Sequence, residues 1–242
     1  MKHSKVENNQ ICRACKHPVS DAFCSHCGEP THVKRITLKG LLHDVFHFFT
    51  HVDKGFAYTL KQLAIAPGNM QRQFIEGNRR NHQKAFSMFF ICATITAFSR
   101  YWILKSLNTF NGQAGLNDAN FFHEYLVPIQ IGLLPIIIFL AYVLFKNTKY
   151  NVAEIGVLIL YTFSFFLLLT ILLWLLRFIK PDLNITYLEL PTITVYCSIT
   201  FLNFFKEEKR WVVLVKSLLF IILVFVCIQF AEDIIESLLD KK

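Results

Sequence analysis

The sequence predicts an all-α membrane protein, in which about five transmembrane helices follow an amphipathic helical region and a small cysteine-containing N-terminal head. Of the 242 residues, 54% are apolar and only 17% are charged, whereas soluble domains typically carry about 25% charged residues. Apolar runs of about 20 residues, long enough to cross a bilayer as helices, recur only after residue 84. Two closely spaced pairs of cysteines precede these runs.

The N-terminal head, residues 1–34, is predicted to be a small zinc ribbon. Each C-x-x-C pair can form a tight turn that offers two thiolates to one ion, and four thiolates fill the tetrahedral shell of a structural zinc. Gly28 directly follows the second pair and suits the left-handed turn that such a site often needs. A segment this short builds no core, so Zn²⁺ would supply its folding energy. The predicted ligands are Cys12, Cys15, Cys24 and Cys27.

Other interpretations of the cysteines fit less well. Two disulfides would require an oxidising compartment, and a redox C-x-x-C motif is expected beside a βαβ pattern that this chain does not show. His17 and His26 lie close to the pairs and are interpreted as loop residues or as donors to the ligands. Cys92, Cys197 and Cys227 lie inside apolar runs and are interpreted as small apolar side chains.

Residues 35–84 are predicted to form an amphipathic, interfacial helical linker. At 100° per residue, the apolar side chains of residues 37–51 fall on one arc and the polar ones on the opposite arc, as in a helix that lies on a membrane or on a helical bundle. A second helix near residues 54–64 is expected to end at Pro67-Gly68, and a third near residues 69–76 to end at Gly77.

The polar arc of the first of these helices contains a stripe of histidines. Side chains four residues apart on a helix can share a metal ion, but His43 and His51 would be separated by about 12 Å along a straight helix. One ion could therefore not bind all three histidines. We favour a solvated or headgroup-facing stripe and keep a second metal site as the alternative. Its candidate ligands are His43, Asp44, His47 and His51.

Residues 85–242 are predicted to form the transmembrane helical bundle. The third apolar run is the strongest, while Glu189 and Pro191 interrupt the fourth. The predicted spans are residues 85–105, 125–146, 153–177, 185–205 and 211–231.

The distribution of charge predicts the orientation of these spans. Residues 1–84 contain 13 Lys or Arg and 6 Asp or Glu, whereas the loop at residues 106–124 contains no Lys or Arg. Because basic loops remain in the cytoplasm, the N-terminus is predicted to be cytoplasmic and the C-terminus to lie outside. The same basic residues favour contact with anionic lipid headgroups. No nucleic-acid partner is expected, since they form no dense cluster with aromatic residues.

A few polar residues within the predicted spans leave a further function open. Arg100, Glu189 and Lys216 lie near span ends and could extend to the membrane surface. Prolines in the second and fourth spans could kink their helices, as in transporters and channels. No phosphate-binding loop, nucleophile elbow or paired-carboxylate motif is present. The sequence therefore favours a protein that is not an enzyme.

The first hundred residues also contain a series of short motifs. They are the C-x-x-C pairs with Gly28, then Lys34-Arg35-Ile36-Thr37, Asp53-Lys54-Gly55-Phe56 with Thr59, Pro67-Gly68, and Gly77-x-Arg79. Over roughly residues 10–100 the chain thereby resembles an uncharacterised family of bacterial multi-pass membrane proteins, a domain of unknown function. The resemblance implies a zinc ribbon, a linking helical region and several spans in the bacterial inner membrane. In that membrane, the outer side that the charge distribution predicts for the C-terminus is the periplasm. It implies no catalytic residues.

These observations favour a membrane scaffold or docking protein. The zinc ribbon and the amphipathic helix would hold a protein partner, or another copy of the chain, at the surface of the bilayer. One alternative is a small transporter or channel. The other is a membrane-bound metal-dependent enzyme that uses the face formed by His43, Asp44 and His47.

Overall fold

The computed structural model of the chain is mostly helical, as predicted. A small β-hairpin precedes the helices, and its strands are β1 (Gln10–Ile11) and β2 (Pro18–Val19), paired antiparallel. The structure describes residues 10–19, 21–28, 30–32, 35–41, 55–111, 132–180 and 183–239.

Two short helices form the second half of the linker region. They are α1 (Phe56–Ile65) and α2 (Asn69–Ile75), close to the predicted second and third helices. Residues 38–41 are also helical. The rest of the predicted first amphipathic helix, with the whole histidine stripe at residues 43–51, lies outside the described residues.

Three stretches of the remaining helices are long and apolar enough to cross a membrane, namely Ala85–Leu107, Val152–Phe178 and Arg210–Ala231. They match the predicted first, third and fifth spans. The predicted second span is represented by a shorter apolar helix, and its residues 125–131 lie outside the described part of the chain. The helix at the predicted fourth span has 19 residues and includes Pro191. The helices are α3 (Ala85–Asn111), α4 (Gly132–Leu144), α5 (Val152–Leu175), α6 (Thr186–Phe204) and α7 (Arg210–Leu239).

The central helix of the bundle is α5, which is buried almost continuously along its first half. It begins with a capping box, in which the Asn151 side chain accepts a hydrogen bond from the Glu154 amide and the Glu154 carboxylate accepts one from the Asn151 amide, each at 2.9 Å. The same carboxylate pairs with Arg35 at 2.9 Å. This ion pair joins the chain that follows the head to the start of α5.

Helices α3 and α5 run in the same direction. Close to the start of α3, the Tyr161 hydroxyl donates to the Gln83 carbonyl. Farther along, the Thr96 hydroxyl donates to the Leu167 carbonyl at 3.1 Å. In these contacting pairs, the residue numbers therefore rise together along α3 and α5. The two helices form a parallel pair.

Helix α6 runs opposite to α5 and forms a hairpin with α7. The rings of Phe165 and Tyr196 lie 4.9 Å apart, and those of Tyr150 and Phe204 lie 4.6 Å apart. In these contacting pairs, the residue number on the α5 side thus falls as the residue number on α6 rises. The short turn at residues 205–209 then returns the chain into α7.

The pair formed by α1 and α2 packs against α5 and α6. Thr59 and Leu63 are fully buried on α1, and the Tyr196 hydroxyl donates to the Leu63 carbonyl at 3.3 Å. Phe74 of α2 meets Tyr161 edge to face at 5.3 Å. The apolar faces of these short helices therefore contact protein.

The turn between α1 and α2 lies against the end of α6. Gly68 has a φ of 81°, in the left-handed region that favours glycine. A Cβ atom at this position would lie 2.2 Å from the Thr200 carbonyl oxygen. The Asn203 side-chain amide donates to the Pro67 carbonyl at 3.0 Å. The Pro67-Gly68 pair predicted to end a helix thus also makes a close backbone contact between helices.

Helix α7 exposes an extended apolar face. Soluble monomers rarely expose apolar patches of such length, so this face suits contact with lipid acyl chains. The exposed side chains are Trp211, Leu214, Val215, Leu218, Leu219, Ile222, Phe225, Val226 and Phe230.

Candidate functional site

The four cysteines of the head converge on one point. Their Sγ atoms all lie within 4.8 Å of one another, with Cys12 and Cys27 separated by 3.5 Å and Cys15 and Cys24 by 3.6 Å. Four Zn–S bonds of about 2.3 Å at tetrahedral angles would separate neighbouring sulfurs by about 3.8 Å, whereas a disulfide would require about 2.05 Å. All four are free cysteines. The cluster can therefore hold a metal ion, as the spacing predicts.

Tight backbone turns direct the thiols inwards. The Lys16 amide donates to the Cys12 carbonyl at 2.9 Å, and the Gly28 amide donates to the Cys24 carbonyl at 2.7 Å. Lys16 and Gly28 have φ angles of 64° and 72°. Each C-x-x-C pair is therefore followed directly by a residue in the left-handed conformation. Hydrogen bonding from the Cys15 backbone is the main cause that lowers the pKa of the Cys12 thiol to about 7. A thiolate at this position is therefore accessible near neutral pH, as metal ligation requires.

The histidines of the head do not join the cysteine cluster. The rings of His17 and His26 stack on each other with centroids 5.2 Å apart. Within the described residues, the four cysteines form the group of potential ligands that could hold a metal ion. The proposed second site at His43, Asp44, His47 and His51 lies outside the described residues.

The head contacts α2 through its first cysteine turn. The Arg13 guanidinium donates to the Glu76 carbonyl at the end of α2. A shallow cavity of about 650 Å³ lies beside this contact, between Lys16 on the head and Gln73 and Asn78 on the linker. The cysteine cluster is thus attached to the helices that pack on the bundle.

A cluster of polar side chains on α3, α5 and α6 lies at the end of the bundle opposite the head. Arg100 on α3 is only 4% exposed, and its guanidinium lies 4.5 Å from the ring centroid of Trp174 on α5. The Trp174 indole N–H donates to the Glu189 carboxylate of α6 at 3.1 Å. Arg100 therefore points into the protein, contrary to the expectation that it extends to the membrane surface. Lys216 lies elsewhere, over the ring of Phe145 at 5.3 Å.

Replacing Trp174→Phe should lower the free energy of unfolding by about 2 kcal/mol, because it removes the hydrogen bond to Glu189 and shrinks a fully buried side chain. Denaturant titration in detergent micelles would measure the change. The matched control is Trp211→Phe, since Trp211 is 68% exposed and should change stability by less than about 0.5 kcal/mol. Equal losses of unfolding free energy in the two variants would contradict a structural role for the hydrogen bond between Trp174 and Glu189.

The segment that leads into α3 contains a buried histidine that the sequence analysis did not single out. His82 is 6% exposed, and its ring lies 5.1 Å from that of Tyr58 and 6.2 Å from that of Phe74. Burial lowers the pKa of His82 to about 4. Its neighbours Arg79, Arg80 and Lys84 belong to the basic segment, residues 1–84, that is expected to contact anionic lipid headgroups.

The low pKa of His82 predicts a loss of stability in acid. The unfolded chain binds a proton near the ordinary pKa of 6.5, while the folded chain resists it until about pH 4, so stability should fall as pH drops through this interval. Because the imidazole keeps some solvent contact, we expect a loss on the order of 2 kcal/mol. Unfolding of the protein and of His82→Gln at pH 7 and pH 4.5 would test this. The same loss of unfolding free energy between pH 7 and pH 4.5 in both proteins would refute it.

Comparison with known proteins gives one local match. Residues 53–97 match the family described as "Protein of unknown function (DUF3667)". The matched stretch contains α1, α2 and the first half of α3, and it begins after the cysteine cluster. It supports the resemblance to an uncharacterised family. No curated protein and no solved structure shows significant similarity to the chain.

Proposed function

We propose that the chain is a five-span protein of the bacterial inner membrane, whose cytoplasmic, zinc-bound head docks a protein partner at the membrane surface. The observation behind the docking role is the exposure of two large apolar side chains on the head, Ile11 at 62% and Phe23 at 64%. Exposed apolar groups on a rigid, metal-held unit suit a protein interface.

The directions of the helices support five crossings. The parallel pair α3 and α5 would cross in the same sense, so the chain between them has to return, and α4 lies on that path. Similarly, α6 would return the chain between α5 and α7. Its 19 residues correspond to about 28 Å of helix, close to the hydrocarbon thickness of about 30 Å. Proline inside the helix is tolerated in membrane spans.

The nature of the ligands supports zinc as the metal. Four cysteine thiolates are typical of structural zinc sites, and such a set leaves no open position for substrate. The ion would therefore stabilise the head and would perform no chemistry. This is the reason for assigning the head a binding role.

The position of the basic residues supports a cytoplasmic head. Lys149 near the start of α5 and Lys206 in the turn before α7 lie at the same end of the bundle as the start of α3 and the head. Basic loops favour the cytoplasmic side. The C-terminal end of α7 would then lie in the periplasm.

Photo-crosslinking in intact cells would test the docking role. A photo-reactive amino acid in place of Phe23 should give a discrete adduct, and one of twice the chain mass would identify a second copy as the partner. The same group in place of Ile65, which is 68% exposed on α1, is the matched control and should not give that adduct.

The adduct should also depend on the metal. Combining the probe with Cys12→Ser, Cys15→Ser, Cys24→Ser and Cys27→Ser should remove it while the chain remains in the membrane. The docking role would fail if the adduct persisted without the cysteines, or if positions 23 and 65 gave the same product.

A further inference from the structure

A cavity of about 990 Å³ opens where the chain enters the bundle. Its walls come from residues 35–41, from α1 and α2, and from residues 79–86 at the start of α3. No Asp or Glu occurs among the described residues that line it. Four cationic side chains line this cavity, which we call the basic pocket: Arg35, Arg79, Arg80 and Lys84.

The basic pocket has an apolar wall beneath its charged one. Leu41, Phe74 and Val157 line it and are each less than a tenth exposed. Arg80 and Lys84, in contrast, are exposed. A cavity that is cationic towards solvent and apolar towards the bundle matches a ligand that is itself amphipathic.

The cations of the basic pocket differ in how they are held. Arg35 is paired with Glu154 at 2.9 Å, so most of its charge is balanced by that carboxylate. Arg79 donates through Nε to the Phe74 carbonyl at 3.1 Å, which positions its guanidinium at the pocket wall. Together with Arg80 and Lys84, it places three positive charges within six residues of chain. Such a grouping attracts phosphate oxygens, for which guanidinium groups are well shaped.

A buried polar atom in the same wall points independently to a ligand. His82 lines the basic pocket and is 6% exposed, yet its Nδ1 atom has no hydrogen-bond partner among the residues that the structure describes. Leaving a buried polar group unsatisfied costs about 1–3 kcal/mol. A ligand oxygen in the pocket would satisfy it, because a neutral imidazole can donate a hydrogen bond.

We infer that the basic pocket binds a phosphate-bearing anion through Arg79, Arg80, Lys84 and His82. The pocket lies where the first membrane span begins, and its inner wall is apolar. These two features favour the headgroup of an anionic phospholipid over free phosphate, although both present the same oxygens. Neither the metal site nor the docking role is needed for this binding.

The test uses the full chain purified in detergent and two matched double variants. Arg80→Gln with Lys84→Gln removes two exposed charges from the pocket. Lys206→Gln with Lys209→Gln removes two exposed charges from the turn at the same end of the bundle. Titration with phosphatidylglycerol or phosphatidylcholine in mixed micelles, read by native mass spectrometry, measures lipid retention. Inorganic phosphate, titrated at constant ionic strength, forms the second arm.

We expect phosphatidylglycerol to bind the wild-type protein and the Lys206/Lys209 variant alike, and to bind the Arg80/Lys84 variant at least tenfold more weakly. If millimolar phosphate displaces the lipid, the phosphate group alone is sufficient for binding to the pocket. If it does not, the pocket requires the phospholipid that carries the group. In either case His82→Gln should weaken binding severalfold at pH 7, measured at a temperature at which both proteins are folded. Equal binding by the two double variants to both probes would overturn the inference.

Discussion

Replacing Cys24→Ser should reduce the bound metal from one ion per chain to well below one. Cys24 is 2% exposed and supplies one of the four converging sulfurs. Structural zinc contributes about 10–16 kcal/mol of binding free energy in small cysteine-based sites, so losing one of four ligands should weaken binding more than a hundredfold. Elemental analysis of the purified protein gives the ratio, and competition with a chromophoric chelator gives the affinity.

The chain offers a matched control for this measurement. Cys227 is half-buried on α7, far along the sequence from the head, and Cys227→Ser should leave the metal content at one per chain. A full complement of metal in Cys24→Ser would contradict the assignment of the cluster. Two ions per wild-type chain would instead indicate a second site, for which His43, Asp44 and His47 are the candidates.

Replacing Gly68→Ala should destabilise the bundle by more than about 4 kcal/mol or prevent its assembly. The added Cβ atom would lie 2.2 Å from the Thr200 carbonyl oxygen and 2.8 Å from the Phe204 amide nitrogen, and neither backbone atom can rotate away. The left-handed φ of 81° adds further strain for any residue with a side chain. The expected result is a large fall in the thermal unfolding midpoint in detergent, or loss of membrane-inserted protein.

Gly132→Ala provides the comparison, because a Cβ atom at this position of α4 meets no described residue within 4 Å. Alanine also favours helix over glycine by about 1 kcal/mol, so this variant should be as stable as the wild type or slightly more so. Similar midpoints for Gly68→Ala and Gly132→Ala would show that the turn does not make the close contact with α6.

The features that were predictable from the sequence are those set by local spacing. Two C-x-x-C pairs constrain four thiols within a few residues of chain, so the cluster of Cys12, Cys15, Cys24 and Cys27 follows from the spacing. Span length likewise follows from runs of apolar residues, and the first, third and fifth predicted runs became the helices suited to crossing a membrane. The Pro67-Gly68 break between two short helices was predictable because proline fixes φ and lacks an amide donor, while glycine readily adopts the left-handed conformation of a turn.

The features that were not predictable depend on which partner a side chain meets. Amphipathicity shows that α1 has an apolar face, but it does not distinguish lipid from protein. Leu63 of α1 is fully buried, and its carbonyl accepts a hydrogen bond from Tyr196 of α6. The position of Arg100 in its span suggested the membrane surface, whereas the rotation of α3 directs it to Trp174. The basic residues before α3 were visible in the sequence. Their arrangement around one cavity with His82 required the fold.

The contact of the Pro67-Gly68 turn with α6 has a mechanical consequence. Along the covalent chain, the head leads first to residues 35–41, α1 and α2, and only then to α3. In space, Arg13 connects it to α2, and the turn before α2 rests on Thr200 and Asn203 of α6. Movement of the head would therefore be transmitted to the hairpin of α6 and α7 through the Arg13 contact and this turn, as well as to α3 through the covalent chain. The Arg35–Glu154 ion pair adds a path to the start of α5, so the head is coupled mechanically to several helices at once.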